Sequence, residues 1–139
     1  MYLLDTNVIS ELRHGKAKPS AAVRAWAARQ PINELYLSAV TVLEMEIGAA
    51  RMERKDAAQG RVLRAWNTKV AEAFASRVLA FTETTARACA PLHVPDPKSF
   101  RDSMIAATAL EHRFTVVTHN VKDFAYRGFP VIDPWDFAA

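Results

Sequence analysis

The chain has 139 residues, 50% of them hydrophobic, with four glycines and seven prolines, which allows one domain with a sizeable core and excludes a disordered or fibrous chain. A formal net charge of +3 permits a polyanionic partner without requiring one, and a single cysteine excludes an intrachain disulfide and points to a reducing compartment. Asp5 and Glu11 interrupt any signal-peptide apolar region and no stretch approaches the ~20 apolar residues of a membrane span, so the expectation is a cytoplasmic protein with no membrane partner, forming a single domain over 1–139.

In chain order, Tyr2–Leu4 predicts a short buried strand that stops at Asp5. Residues 7–12 predict a helix, with Val8, Ile9 and Leu12 on one side, broken at Gly15. A second helix carries Val23, Trp26 and Ala27, with Pro19 in its first turn and Pro31 limiting its end. Leu35–Ser38 predicts a second strand, and Val40, Leu43, Ile47 and Arg51 recur at near-helical spacing. Residues 56–75 predict a further helix, with Gly60 weakening its start. A third strand is expected over 78–81, a helix over 82–92, and a rigid loop at Pro95-Asp96-Pro97. Cys89, between two alanines, reads as a small core residue. Phe100–His112 predicts a helix with Asp102, Ile105, Ala106, Ala109 and Leu110 on one face. The run Thr115-Val116-Val117-Thr118 predicts a β-branched strand, and Val131–Ile132 a last short one. Alternating strands and helices predict an α/β domain with a mostly parallel sheet, whose ligands bind beyond the carboxyl ends of the strands. Asp5 follows the first strand and Asn120 and Asp123 the fourth, so these side chains fall at that edge.

The acids sort by spacing. Glu44 and Gly48 are four apart and share a helix face, while Glu46 lies about 200° round. A small residue inward allows close packing, so Glu44 is expected to point inward and Glu46 outward. Asp102 opens a helix with a small apolar face, near an N-terminus that favours an anion. Singly, each acid has a plain reading: helix cap for Asp5, dipole compensation for Asp102, solvated acid for Glu44, turn residue for Asp123. Jointly they come from four separate segments, and like charges brought together are costly unless a cation offsets them. Oxygen ligands suit Mg²⁺ or Mn²⁺. Four histidines (His14, His93, His112, His119) without ligand-like spacing and one cysteine make a zinc site unexpected.

The stretches LLDTNVISEL, LSAVTVLEMEIGAAR, RDSMIAATAL and VVTHNVKDF carry a resemblance over nearly the whole chain. In this order and spacing the sequence resembles the PIN-domain ribonucleases, most closely the VapC/FitB-like toxins of bacterial toxin–antitoxin pairs. The resemblance implies a PIN-like three-layer α/β/α domain with a short, mostly parallel central sheet. It implies a Mg²⁺-dependent endoribonuclease, with Mn²⁺ as a substitute, acting on an RNA substrate. By position, Asp5, Glu44, Asp102 and Asp123 match the family's acidic metal site as catalytic and metal-ligating residues. Asp5 and Asp102 are expected as direct ligands, with Glu44 and Asp123 ligating directly, through water, or orienting the nucleophile. Asn7, Thr118 and Asn120 match polar support positions, and Ser38 a residue before the second helix that helps hold the site. His119 stands where the family often has Arg. The resemblance also implies a cognate antitoxin, expected to send an arginine into the acid pocket, and a homodimer within a larger toxin–antitoxin assembly.

Basic side chains expected to position an RNA backbone are Arg13, Lys16 and Lys18, and farther on Arg51, Arg54, Arg61 and Arg64. Two rival classes are weighed. An aspartyl phosphatase would carry a second Asp two residues after Asp5, where this chain has Asn7. A degenerate PIN-like module would bind RNA or a partner without catalysis, and the presence of all four acids argues against it.

Overall fold

Leu3 and Leu4 point to opposite sides of Tyr2–Leu4 (β1), and both are fully buried, so β1 needs a helical layer on each face. The computed structural model describes residues 1–126 and 129–138. In it β1 is the middle strand of a five-stranded sheet with Leu35–Ser38 (β2), Val78–Leu79 (β3), Thr115–Val117 (β4) and Val131–Ile132 (β5), in the order β3-β2-β1-β4-β5. Every pairing is parallel. The expected mostly parallel sheet is thus wholly parallel among the described residues, and all its strands end at one edge.

On one face lie Thr6–Glu11 (α1), Ala21–Arg29 (α2) and Ala57–Ala73 (α4), burying Leu4, Val8, Ile9, Val23, Trp26, Val70 and Val117 together. The other face joins Leu3 and Val116 to Ile105, Ala106 and Ala109 of Phe100–His112 (α6), to Val40 from Ala39–Lys55 (α3), and to Phe124. This is the expected three-layer α/β/α arrangement. Each fully buried leucine, isoleucine or phenylalanine contributes about 1.5–3 kcal/mol. The small alanines of α6 let its backbone lie close against the sheet, which brings its first turn to the carboxyl edge.

Local chemistry sets the boundaries. Asp5 caps α1 by accepting from Thr6 N at 2.7 Å, so the helix begins one residue earlier than its apolar pattern suggested. Pro19 lies outside the first turn of α2, because Ser20 is the cap and accepts from Val23 N at 3.3 Å. Asp56 caps α4, with Gly60 buried in the crossing with α3, where the backbone of Glu53 leaves no room for a Cβ. Thr82 caps Glu83–Cys89 (α5), and the helix expected to continue to residue 92 gives way to a 3-10 turn at Ala90–His93. Pro91 has no N–H to continue the α-helical ladder. The strand expected over 78–81 keeps only Val78–Leu79 in the sheet. Cys89 is buried, and its thiol donates to Ser103 Oγ at 3.4 Å. No helix of the described residues is long and apolar enough to cross a membrane.

Candidate active site at the carboxyl edge of the sheet

Three chain reversals meet where the strands end. Asp5 follows β1, Ser38 ends β2 and Thr118 follows β4, and all three are buried. Asp5 is 0% exposed, a position a carboxylate tolerates only with partners. Beyond its cap bond it accepts from Thr118 Oγ1 at 2.8 Å, Asn7 Nδ2 at 3.4 Å and Arg101 Nη2 at 3.0 Å. It is therefore both the helix cap of its plain reading and a member of a charged cluster.

Thr118 Oγ1 accepts from Asn7 Nδ2 at 3.3 Å and from Asn120 N at 3.0 Å, while Asn7 Oδ1 accepts from His119 N at 3.3 Å. Asn7 and Thr118 thus brace Asp5 with side chains, whereas Asn120 contributes its backbone and is itself exposed. Ser38 makes no bond to the acids among the described residues. It caps α3, accepting from Thr41 N at 3.1 Å, and so orients the helix that carries Glu44.

Glu44 is half-buried and Glu46 exposed, as expected, but Gly48 is not the reason. A Cβ on Gly48 would meet nothing within 4 Å, so it faces open space and allows no close approach. Glu44 turns inward because Thr6 Oγ1 donates to it at 2.6 Å and Arg101 Nε donates to its other oxygen. Glu46 instead pairs with Arg64, which also reaches Glu53 at 2.5 Å. Asp102 lies in the first turn of α6, with Ser99 as the cap, and accepts from Arg101 Nη1.

The guanidinium of Arg101 therefore touches Asp5, Glu44 and Asp102 at once. Burial disfavours its charge, but Asp5, Glu44 and Asp102 outweigh that and hold its pKa above the ordinary arginine value. Burial raises the pKa of Asp102; Arg101 opposes this, and Asp123, Asp5 and Glu44 reinforce it. Asp123 is on the 3-10 turn Val121–Phe124, exposed, and joined to none of the other three acids by a hydrogen bond among the described residues. It faces Asp102 across a cleft lined also by Lys98, Ser99, Lys122 and Tyr126. The Tyr126 hydroxyl is buried there without a partner among the described residues, and burial, with Asp102, Cys89 and Asp123 adding, pushes its pKa up.

Of the basic side chains expected near RNA, Arg13 and Lys16 share a cleft with Thr6 and Glu44, and Arg51 shares another with Glu44 and Arg101. Lys16 is bonded to the buried Glu11 at 2.5 Å, and Arg64 to Glu46 and Glu53. Arg101, Thr6, Glu11 and Lys98 are the residues the sequence did not single out, and Lys122 stood out only as the lysine a phosphatase would want. Arg101 stood inside RDSMIAATAL beside Asp102, and that adjacency was the available signal. As the side chains stand, no group of three acids, histidines or cysteines among the described residues is arranged to hold one metal ion, because the guanidinium occupies the space between the carboxylates.

The family profile described as the PIN domain matches residues 2–129. The chain is 41% identical over 144 residues to VapC ribonuclease Y4jK of Sinorhizobium fredii, covering 98% of this chain and 99% of that protein. It is 34% identical over 144 residues to toxin FitB of Neisseria gonorrhoeae, covering 97% and 99%. The crystal structure of FitAcB from Neisseria gonorrhoeae matches with a TM-score of 0.86 at 32% identity, over 99% of this chain and 100% of that one. A structure of FitAB bound to an IR36 DNA fragment matches with a TM-score of 0.84 at 31% identity, over 100% and 99%.

Proposed function

Because the chain belongs to the PIN-domain family, with VapC and FitB proteins as relatives along its whole length, we propose that it is a Mg²⁺-dependent endoribonuclease, the toxin of a toxin–antitoxin pair. The observation that carries this reading is the convergence of Asp5, Glu44 and Asp102, from three separate segments, on a single cation at the carboxyl edge of a parallel sheet. A structural ion pair needs one carboxylate; three around one guanidinium are a pocket built for more positive charge than arginine brings.

The donor set fits the ion. Every candidate ligand is an oxygen, which suits a hard cation. Asp5, Glu44 and Asp102 would hold it once the guanidinium moves aside, with Asp123 completing the set across the cleft. When bound, the ion supplies charge neutralisation and Lewis-acid assistance for water attack on a phosphodiester. The chain's own residues do the rest. Thr6, Asn7 and Thr118 fix the carboxylates, which limits the reorganisation that a charged transition state would otherwise demand. Lys98 and Lys122 flank the Asp102–Asp123 cleft, and Arg13 and Lys16 the Glu44 side, so a backbone crossing the pocket meets positive charge on both approaches. In the hydrolysis, water adds across one P–O bond: its oxygen joins phosphorus and the leaving oxygen gains a proton.

The family resemblance supports a cognate antitoxin as the cellular partner. An arginine from it would suit the pocket, since a planar fork pairs with carboxylates bidentately.

The test is cleavage of RNA by purified protein. Activity is expected with Mg²⁺ or Mn²⁺, abolished by EDTA, and reduced by at least ~100-fold in Asp5→Asn or Asp102→Asn. Full cleavage by Asp5→Asn in stringently metal-stripped preparations would remove the pocket from the reaction.

A further inference from the structure

The charge that the acid pocket already holds is the chain's own. Arg101 sits one residue before Asp102 in the first turn of α6, and its Nε, Nη1 and Nη2 are divided among Glu44, Asp102 and Asp5. All three of its donor nitrogens are thereby committed, and three carboxylates share one positive charge. A divalent ion in the same space would need the oxygens about 2.0–2.1 Å from its centre, which a guanidinium between them prevents. The two cations exclude each other.

Arg101 also has somewhere to go. Its side chain is a third exposed, unlike the 0% of Asp5, so the bond to Asp5 anchors a group that already reaches solvent. Beside it runs the cleft lined by Val40, Leu43, Gly48, Arg51 and Met104 between α3 and α6. Gly48 adds no side chain to that wall, and a Cβ there would meet nothing within 4 Å.

We propose that Arg101 is an internal counter-ion that neutralises the acid pocket without metal and is displaced into the α3–α6 cleft when a divalent cation binds. This rests on the metal-dependent reading above. Its consequence is that apparent metal affinity is weakened by the fraction of molecules in which the arginine occupies the pocket. Once displaced, the guanidinium lies on the same side as Arg51, and the pair presents two positive charges toward a polyanionic substrate.

Two variants and two readouts decide it. In Arg101→Gln the fork and its charge are gone and a shorter neutral amide remains; in Arg101→Lys one point charge remains that cannot bridge three carboxylates. Mn²⁺ binding is measured by calorimetry on wild type, both variants and Asp5→Asn. The expected result is tightening of about tenfold or more in Arg101→Gln, matching a wild-type pocket at most one-tenth free of the guanidinium. Arg101→Lys is expected in between, and Asp5→Asn to bind weakly. In nuclear magnetic resonance spectra of wild type, the Arg101 Nε–H signal is expected to be protected from exchange in EDTA and to lose that protection on adding Mg²⁺. If wild type binds Mn²⁺ but Arg101→Gln binds no tighter, or if the Nε–H stays protected at saturating Mg²⁺, the counter-ion proposal fails and the metal-site reading stands. If wild type binds no Mn²⁺ and Asp5→Asn is indistinguishable from it, both fail together.

Discussion

Two buried acids in this chain respond to pH with opposite sign. Glu11 is buried, accepts from Ser20 N at 2.6 Å and Lys16 Nζ at 2.5 Å, and its pKa is lowered, mainly by the Lys16 bond and against the cost of burial. A lowered folded pKa contributes stability that is present above the ordinary 4.5 and lost as pH falls through the folded value. Asp102 is the reverse. Its pKa is raised, so its contribution is present below the ordinary 3.8 and lost as pH rises through the higher folded value. In EDTA, Glu11→Gln is expected to lower stability at neutral pH by about 1.5–3 kcal/mol, with the deficit shrinking in acid. Wild type is expected to lose ground against Asp102→Asn as pH climbs from about 3.8. Chemical denaturation of the three proteins across pH checks both; superimposable profiles for wild type and Asp102→Asn would mean that Asp102 titrates alike folded and unfolded. Asp5, Asp102 and Asp123 could be picked out in the sequence because each follows a strand pattern or opens a helix pattern, and Glu44 because of the helix face it occupies. Arg101 could not, since periodicity says which face a residue occupies and nothing about where a long flexible side chain folds back.

At the level of elements, α6 was legible to the residue from the face carrying Ile105, Ala106, Ala109 and Leu110; in the structure Ser99 caps it and Arg113, in the left-handed region, ends it after His112. The α3–α4 pair was less so, and its two glycines show why. Both sit inside long helices, where composition treats them alike as weak points. Gly60 is where the helices touch: a Cβ there would lie 2.5 Å from Glu53 Cα. Gly48 faces open space. Gly60→Ala is therefore expected to destabilise by about 1–3 kcal/mol in spite of alanine's better helix propensity. Gly48→Ala should gain roughly 0.5–1 kcal/mol. Urea midpoints of the two variants measure this, and equal shifts in one direction would contradict the assigned crossing. The inward turn of Glu44 was anticipated from spacing for a reason that does not hold: the hydroxyl of Thr6, 38 positions away in sequence, turns it, and no local pattern carries that contact.

Across the whole molecule, the alternation of strands and helices made the parallel sheet legible, and with it the edge where Asp5, Glu44 and Asp102 gather, while strand order depends on contacts between distant segments. That order has a consequence in time. β1 lies at the centre, pairing with β2 on one side and β4 on the other. Asp5 receives its bond from Thr118, 113 positions later. During synthesis the middle of the sheet therefore waits, open along one side, until nearly all of the chain described here has left the ribosome. The acids cannot be gathered before Asp102 and Thr118 have emerged, so a nascent chain carries no assembled nuclease beside the message that encodes it. A chain truncated just before Thr115 is expected to remain unfolded by circular dichroism and inert toward RNA, because it keeps Asp5, Glu44 and Asp102 but lacks the strand that closes the centre. Activation is in this sense postponed by topology: the order of the strands delays the enzyme until β4 has reached its place beside β1.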